Sequence, residues 1–568
     1  MSGLSAALLD SLERLIPGGD PGEPELITLR QVVGALALAL ERGELALDLE
    51  GPAPDGVIDD GEAPSADGWP QRHLAALEAR GWLVTADALE QRPEAPVVWD
   101  QRWLRWRRWH GQLCQCRDDL IARSGRTPDP APGAAELERA GVRAREAGLD
   151  EAQARAVQAL LSHRMVLLSG GPGTGKTSTV VQMLAAALRQ RGDLRLQLAA
   201  PTGKAAARLG TAVAAGATRL EEPLAERLQA LPCGTLHRLL DARGDGFRRG
   251  PGLPLEVDLL VIDEVSMVDL PLMAALLAAL PEQAQLLLVG DPGQLPPVGP
   301  GAVLLELCRP EGLRALGPAA VELRTTYRND GAIAALASRV RQERSRGPEL
   351  LASLRLQLQA LPPKENVSWC EAPGSRAPVD ALERLRRHGR RLAALAEALE
   401  PSGMDAGAET ALLRELESLI LLSPLQRGPW GVEGVHRVLL AEALQGPVQA
   451  WPVGTPVLNR RNLPEQGLAN GDVGVLVSCR GERLVLFPDG RRLHPARLGP
   501  AEPALALTVH KAQGSQYREV LLLLPPARHL DGRLLYTGLT RARSRARIYT
   551  AAPVVDRRSA VASGDSPA

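Results

Sequence analysis

The eight residues GGPGTGKT, Gly170 to Thr177, restrict what this chain can fold into more than any other stretch. They follow a short apolar run, MVLLSG, and lead into TSTVVQMLAAALRQR, whose apolar positions recur at helical spacing. Strand, glycine turn and helix in that order fit G-x-x-x-x-G-K-[ST]. Glycines let successive backbone N–H groups turn inward around phosphate oxygens. The helix N-terminus adds partial positive charge. The pattern predicts a nucleoside triphosphate site cradled by Gly170, Gly171, Pro172, Gly173, Thr174 and Gly175. Lys176 is then expected to reach the β- and γ-phosphates, and the Thr177 hydroxyl to ligate Mg2+.

Lysine is rare elsewhere. Of 66 Lys plus Arg residues only Lys176, Lys204, Lys364 and Lys511 are lysines. A compact ammonium fits between phosphates where a guanidinium does not, which accounts for Lys176. Net charge is −1, so no global field draws the chain to nucleic acid, and any such contact must come from a local groove or a partner. The six cysteines are scattered; Cys114 and Cys116 lie two apart with no second pair nearby, and are read as free thiols. The N-terminus has neither a basic start nor a long apolar run, and no uncharged apolar run reaches about 18 residues. A cytoplasmic protein without a membrane segment is expected.

From about residue 143 strands and helices alternate. LQLAAP, DLLVIDE and AQLLLVGD read as strands and LPLMAALLAALP as a helix, which predicts an α/β fold with a parallel sheet covered on both faces. Residues 330–420 read as mostly helical, and LESLILLSP, REVLLLLP and ARIYTAAP resume a sheet. Residues 446–505 read as short strands and turns, a small β-barrel inserted in a second α/β domain. Residues 556–568 read as a disordered tail. The expected division is 1–140, 141–320 and 321–568. The first segment is expected to be mainly helical. Its Trp103, Trp106, Trp109 and Leu113 recur at helical spacing with arginines between them. That stretch could be a stacking platform for nucleic acid; the reading adopted is a helix that buries its tryptophans and solvates its arginines.

Ligands of open α/β sheets bind beyond the carboxyl ends of the strands. LLVIDEVSMVD ends a buried strand on Asp263 and Glu264, which predicts that Asp263 holds Mg2+ and Glu264 polarises the attacking water. GDPGQLPPVGPG places Gln294 beyond a third strand end, in position to sense the γ-phosphate. Phosphoryl transfer also needs positive charge on the transition state. Arg328 in LRTTYRND and Arg541 in LLYTGLTRARS are the candidates, while Arg543, Arg545 and Arg547 read as surface residues.

GGPGTGKT, APTGKAAARL, TLHRLL, VIDEVSMVD, GDPGQLPPVGPG, TTYRND, LTVHKAQGSQY and LYTGLTRAR stand in the order found in superfamily 1 helicases. Over residues 143–550 the chain closely resembles their RecD branch, which moves 5′ to 3′. The resemblance implies two RecA-like domains with ATP and Mg2+ between them, an SH3-like insertion in the second, and a DNA motor acting on the 5′-ended strand of a duplex end. It implies that Gln153 reads adenine, that Arg328 and Arg541 reach the γ-phosphate, and that Gly514 and Gln513 lie near it. Thr202 and His237 would line the single-strand path, and Thr508 and His510 would contact a DNA phosphate. Lys511 would start a helix between the phosphate and nucleotide contacts. The strand-separating pin, if it lies between His237 and Asp258, is abbreviated. The N-terminal segment has no helix-hairpin-helix turn and resembles the docking domain of a RecBCD subunit, which implies RecB-like and RecC-like partners in a heterotrimer. Lys364 has no strand-borne acids around it, so a nuclease site is not expected in this chain. A stand-alone helicase is the alternative.

Overall fold

A computed structural model describes residues 8, 10–12, 14, 23–41, 44–51, 53–54, 68–244, 246–327, 331–342, 347–359, 366–402, 405–440, 446–461, 463, 466, 468–524 and 532–551. Arg328, Lys364 and the tail 556–568 lie outside them.

The chain opens with helix α1 (Glu23–Glu41) and the short strand β1 (Leu47–Asp48). Strands β2 (Leu83–Thr85), β3 (Val97–Asp100) and β4 (Trp103–Trp106) come next, then helix α2 (Arg107–Ser124). The four strands form one mixed sheet in the order β1-β4-β3-β2, over which Leu29, Val33, Leu36, Trp82 and Leu104 are packed. A sheet therefore joins the helices expected here. The reading of Trp103 to Leu113 as one helix is corrected: residues 103–106 are a strand, and the helix begins at Arg107. Residues three apart lie on opposite faces of a strand. Trp106 is buried in the sheet's core and Trp103 turns the other way. Arg105 is not solvated; it is 4% exposed and bonds Asp100 (2.7 Å) and Glu306 (3.4 Å). Arg309 stacks 3.7 Å from the Trp103 ring and pairs with Glu306 at 2.7 Å. These contacts fasten the N-terminal sheet to the segment that carries Glu306 and Arg309.

The alternating segment folds as read. Helix α3 (Glu151–Ser162) precedes β5 (Met165–Gly170), and α4 (Lys176–Gln190) succeeds it. Then come β6 (Leu196–Ala200), α5 (Gly203–Ala217), β7 (Cys233–Thr235), a small antiparallel hairpin of β8 (Ala242–Arg243) and β9 (Gly246–Phe247), β10 (Leu259–Ile262), β11 (Gln285–Gly290) and β12 (Ala320–Leu323). Six of these strands build a parallel sheet in the order β12-β5-β11-β10-β6-β7. Its central strands β5, β10 and β11 are buried throughout, as continuous Val/Leu/Ile runs require when helices cover both faces. On one face Leu113, Cys116 and Leu120 of α2 pack with Met165, Leu167 and Ile262.

A second parallel sheet has the order β13-β22-β21-β14-β20. Its strands are β13 (Val367–Ala372), β14 (Leu419–Ser423), β20 (Ala506–Thr508), β21 (Tyr517–Leu524) and β22 (Ala542–Ala551). Helix α6 (Val379–Ser402) covers it, and α7 (Gly532–Leu539) lies between β21 and β22. β13 falls inside the segment read as mostly helical; its residues are only partly buried on the sheet edge, which weakens the apolar signature. Between β14 and β20 stand β15 (Pro456–Asn459), β16 (Val473–Cys479), β17 (Glu482–Leu486), β18 (Arg492–Leu493) and β19 (Ala501–Pro503), which form a five-stranded antiparallel sheet in the order β18-β17-β16-β15-β19. It has its own core of Trp451, Val457, Leu476, Val485 and Phe487. Its outer strands β18 and β19 are not bonded to each other among the described residues. Each parallel sheet with its covering helices forms one lobe.

Candidate nucleotide site at the seam of two lobes

β5 delivers the chain into the glycine turn at the carboxyl edge of the first sheet. Gly173 (φ 78°) and Gly175 (φ 79°) take the left-handed conformation, which a Cβ disfavours. Gly175 caps α4, so Lys176 and Thr177 open the helix. The Lys176 ammonium donates to the carbonyls of Gly170 (2.6 Å) and Gly171 (2.9 Å). The Thr174 hydroxyl donates to Gly171 O at 2.9 Å and closes the turn on itself.

Gln153 buttresses this turn. Its Nε2 donates to Thr174 O (3.1 Å), and its Oε1 accepts from the Asp150 N–H (2.9 Å) in a capping box that starts α3. Both ends of the amide are engaged by the protein. Tyr327 closes the same corner: its N–H donates to Gly173 O (2.8 Å) and its hydroxyl to Asp150 (2.7 Å). Burial raises the Asp150 pKa, but hydrogen bonds from Gln153, Tyr327 and Thr325 outweigh it and hold it below the usual carboxylate value. Arg328, the next residue along, is outside the described residues.

Asp263 follows directly on the buried β10, and its N–H donates to Ala199 O at 3.0 Å. Its carboxylate accepts from the Glu264 N–H (2.9 Å) across a left-handed turn at Glu264 (φ 53°). Burial and then the adjacent Glu264 push the Asp263 pKa up to about 6, with Lys176 and Arg208 opposing. Two adjacent carboxylates thus stand just beyond β10, and Thr177 carries a hydroxyl in the first turn of α4. Oxygen ligands of that kind, completed by phosphates and water, suit Mg2+, so the residues present fit that ion.

Beyond β11, Asp291 is fully buried and accepts from Gly293 N (2.9 Å) and from the Tyr536 hydroxyl (2.8 Å) on α7 of the other lobe. Burial, then Asp291, push the Tyr536 pKa up, so it stays a donor. Gln294 is buried, with Nε2 3.4 Å from Asp291 and Oε1 without a hydrogen-bond partner among the described residues. The next residue bridges the lobes twice: Leu295 N donates to Thr537 Oγ1 (2.9 Å), and Leu295 O accepts from Gln513 Nε2 (3.2 Å). A Cβ on Gly171 would sit 3.0 Å from the Tyr536 hydroxyl oxygen. The second lobe therefore rests directly on the glycine turn.

Arg541 is 2% exposed beside this seam. It donates to Thr537 O (3.1 Å), Ser515 O (3.2 Å) and Thr540 Oγ1 (3.2 Å). Burial pulls its pKa down; the fields of Glu264 and Asp291 act to raise it, and that of Arg208 to lower it. Gly514 (φ 73°) lies against the start of α5, where a Cβ would meet Thr202 Oγ1 at 3.7 Å, and Arg208 reaches Gly514 O at 3.5 Å. Thr202 caps α5 through the Ala205 N–H (3.2 Å). His237 is exposed and faces Phe247 of the hairpin, ring centroids 6.0 Å apart.

Lys511 does not start a helix. Residues 509–514 are successive turns, in which Thr508 Oγ1 accepts from Lys511 N (3.3 Å) and His510 O from Gln513 N (3.1 Å). The Lys511 ammonium pairs with Glu502 (2.7 Å), which Arg460 also holds at 2.9 Å, so this lysine ties the second lobe to the inserted sheet. Lys204 sits 5.8 Å from the Tyr517 ring. The sequence reading missed Asp291, Thr537 and Arg208. Tyr536 left a trace: three of the four tyrosines, Tyr327, Tyr517 and Tyr536, lie within the quoted motifs.

Residues 153–300 match an AAA domain, and residues 503–549 a UvrD-like helicase C-terminal domain. The chain is 36% identical over 533 residues to the RecBCD enzyme subunit RecD of Mycolicibacterium smegmatis, covering 90% of this chain and 88% of that one. It is 34% identical over 430 residues to the ATP-dependent RecD2 DNA helicase of Deinococcus radiodurans, covering 73% of this chain and 51% of that one. Among solved structures, Bacteroides Pif1 bound to ssDNA aligns with a TM-score of 0.38 and 18% identity, over 70% of this chain and 92% of that one.

Proposed function

The chain belongs to the RecD family of superfamily 1 helicases, and on that premise we propose that it is the ATP-driven 5′–3′ DNA motor of a RecBCD-type complex, processing duplex ends in break repair. The observation that carries the reading is the seam itself. A phosphate-binding turn on one parallel-sheet lobe is covered by Tyr536 and flanked by Arg541 of the other.

In this reading Gly170 to Gly175 cradle the triphosphate, and the Lys176 ammonium leaves the Gly170 and Gly171 carbonyls for the β- and γ-phosphates. Thr177 and Asp263 hold Mg2+, which supplies charge neutralisation on the phosphates when bound. Glu264 polarises the attacking water. Arg541 and Arg328 supply positive charge to the transition state. Gln153 acts by positioning the turn through Thr174 O as well as by lying beside the base. Gln294 senses the γ-phosphate and passes its state on through Asp291–Tyr536 and Leu295–Thr537. Thr202 and His237 on the first lobe, with Thr508 and His510 on the second, grip the strand, and Gly514 lies between grip and nucleotide. The five-stranded sheet is the SH3-like insertion, the segment before residue 141 is the partner-docking domain, and RecB-like and RecC-like chains are the partners. A subunit is favoured over a stand-alone helicase because the mycobacterial match extends over 90% of this chain and the Deinococcus match over 73%.

Lys176→Ala is expected to abolish DNA-stimulated ATP hydrolysis; unchanged turnover would make the site idle. The active protein is expected to load on a 5′ single-stranded overhang, and loading only on 3′ overhangs would refute the polarity.

A further inference from the structure

One charged surface is not used by that mechanism. Arg384, Arg387 and Arg391 form a stripe along α6 and, with Arg518 at the start of β21, line a recess of about 80 Å³. Buried His388 and Ser418 form its floor, fixed by His388 Nδ1 to Glu415 (3.1 Å) and Ser418 Oγ (3.4 Å). The nearby acids are already engaged. Glu415 faces His388 and Arg391 (3.6 Å), and Glu519 accepts from Arg547 (2.9 Å) with Arg384 and Arg545 each at 3.9 Å. Arg387 and Arg518 are exposed, and neither has a carboxylate within ion-pair distance among the described residues.

We propose that this recess binds a DNA phosphate outside the strand path. The proposal rests on the reading of the chain as a DNA motor. Leu419 is the only apolar residue in the lining and no aromatic one is present, so the recess offers little of the apolar core on which protein interfaces depend. Protein–DNA interfaces are more polar and far more positive, and most of their hydrogen bonds go to phosphate and sugar. The stripe from Arg384 to Arg391 rises about 10 Å, the axial length of about three base pairs. The site is also distinct from the path through Thr508. Ser423 is the residue opposite Thr508, and Leu419 lies at the other end of β14, about 13 Å away. A second grip placed there holds nucleic acid while the path through the seam releases it.

The test compares the full-length chain with Arg387→Ala/Arg518→Ala, measuring affinity for a blunt duplex and for a single strand against salt. Each lost phosphate contact lowers the slope of log K on log salt by about 0.9 on duplex and about 0.7 on single strand. A drop of about one to two on either form supports the proposal, and the form affected identifies the source of the phosphate. Arg387→Lys/Arg518→Lys is expected to restore most of the slope. Unchanged slopes on both forms would overturn it, and unchanged slopes with loss of a co-purifying chain would assign the recess to an acidic protein segment instead. DNA-stimulated hydrolysis is expected to persist in the double variant. Its absence from the unmodified chain would sink the motor reading, whatever the slopes do.

Discussion

Tyr536→Phe removes one oxygen atom from the seam and nothing else. The hydroxyl donates at 2.8 Å to Asp291, a fully buried carboxylate whose other donors are Gly293 N at 2.9 Å and a long contact from Gln294 at 3.4 Å. Hydrogen bonds to charged groups contribute about 1.5–3 kcal/mol, and a buried acceptor that loses its partner bears the full desolvation cost. Because donor and acceptor belong to different lobes, the loss falls on closure of the cleft and not on either lobe's core. A change of that size shifts the closed-to-open ratio about 10- to 150-fold. DNA-stimulated kcat/KM for ATP is the assay, and a fall of at least about tenfold is expected. Tyr549→Phe is the matched control: its hydroxyl donates to Asp380 at 2.5 Å within the second lobe, so it is expected to lower Tm and leave kcat/KM in place. Tyr536→Phe turnover within about twofold of the unmodified chain would refute coupling through this bond.

The remaining expectations are simpler. His436 is buried, its Nε2 accepts from Ala506 N (3.0 Å), and burial followed by Lys511 pushes its pKa down to about 4 from 6.5. The unfolded chain therefore takes up a proton that the folded chain refuses; stability is full above about pH 6.5 and falls by about 2 kcal/mol by about pH 5. Thermal unfolding across that window should lose this slope in His436→Gln, and an unaltered slope would remove the histidine from the account. Arg309→Ala takes away both the stack on Trp103 and the pair with Glu306, and should loosen the N-terminal sheet by about 2 kcal/mol, seen as earlier proteolysis before residue 107. Proteolysis unchanged from the parent would show that the sheet is held elsewhere. A Cβ on Gly203 would run into the Ala469 methyl, so Gly203→Ala should lower stability by about 1–3 kcal/mol and Ala469→Gly in the same chain should restore it. Absence of rescue would mean the inserted sheet does not bear on α5.

Much of this protein was decided locally. The turn at Gly170 to Thr177, the carboxylates at the end of β10 and the alternation of the first lobe depend on residues a few positions apart, because a strand, a glycine turn and a helix N-terminus are built from neighbours. Local patterns also misled. Trp103 and Trp106 are three apart, which suits a helix face, yet pairing of Val97 with Trp106 draws the segment into a sheet. β13 is an edge strand with half-buried residues and carries little pattern of its own. Lys511 stands in a motif, but its partner Glu502 belongs to the inserted sheet, and no spacing rule reveals an ion pair. The seam lies furthest from sequence: Asp291 and Tyr536 are 245 positions apart, and Leu295 and Thr537 are 242 apart. Those bonds exist because two sheets built from distant parts of the chain dock with specific side chains facing one another. The chain alone determines that phosphate can be bound; which groups close over it is set by how the two lobes meet.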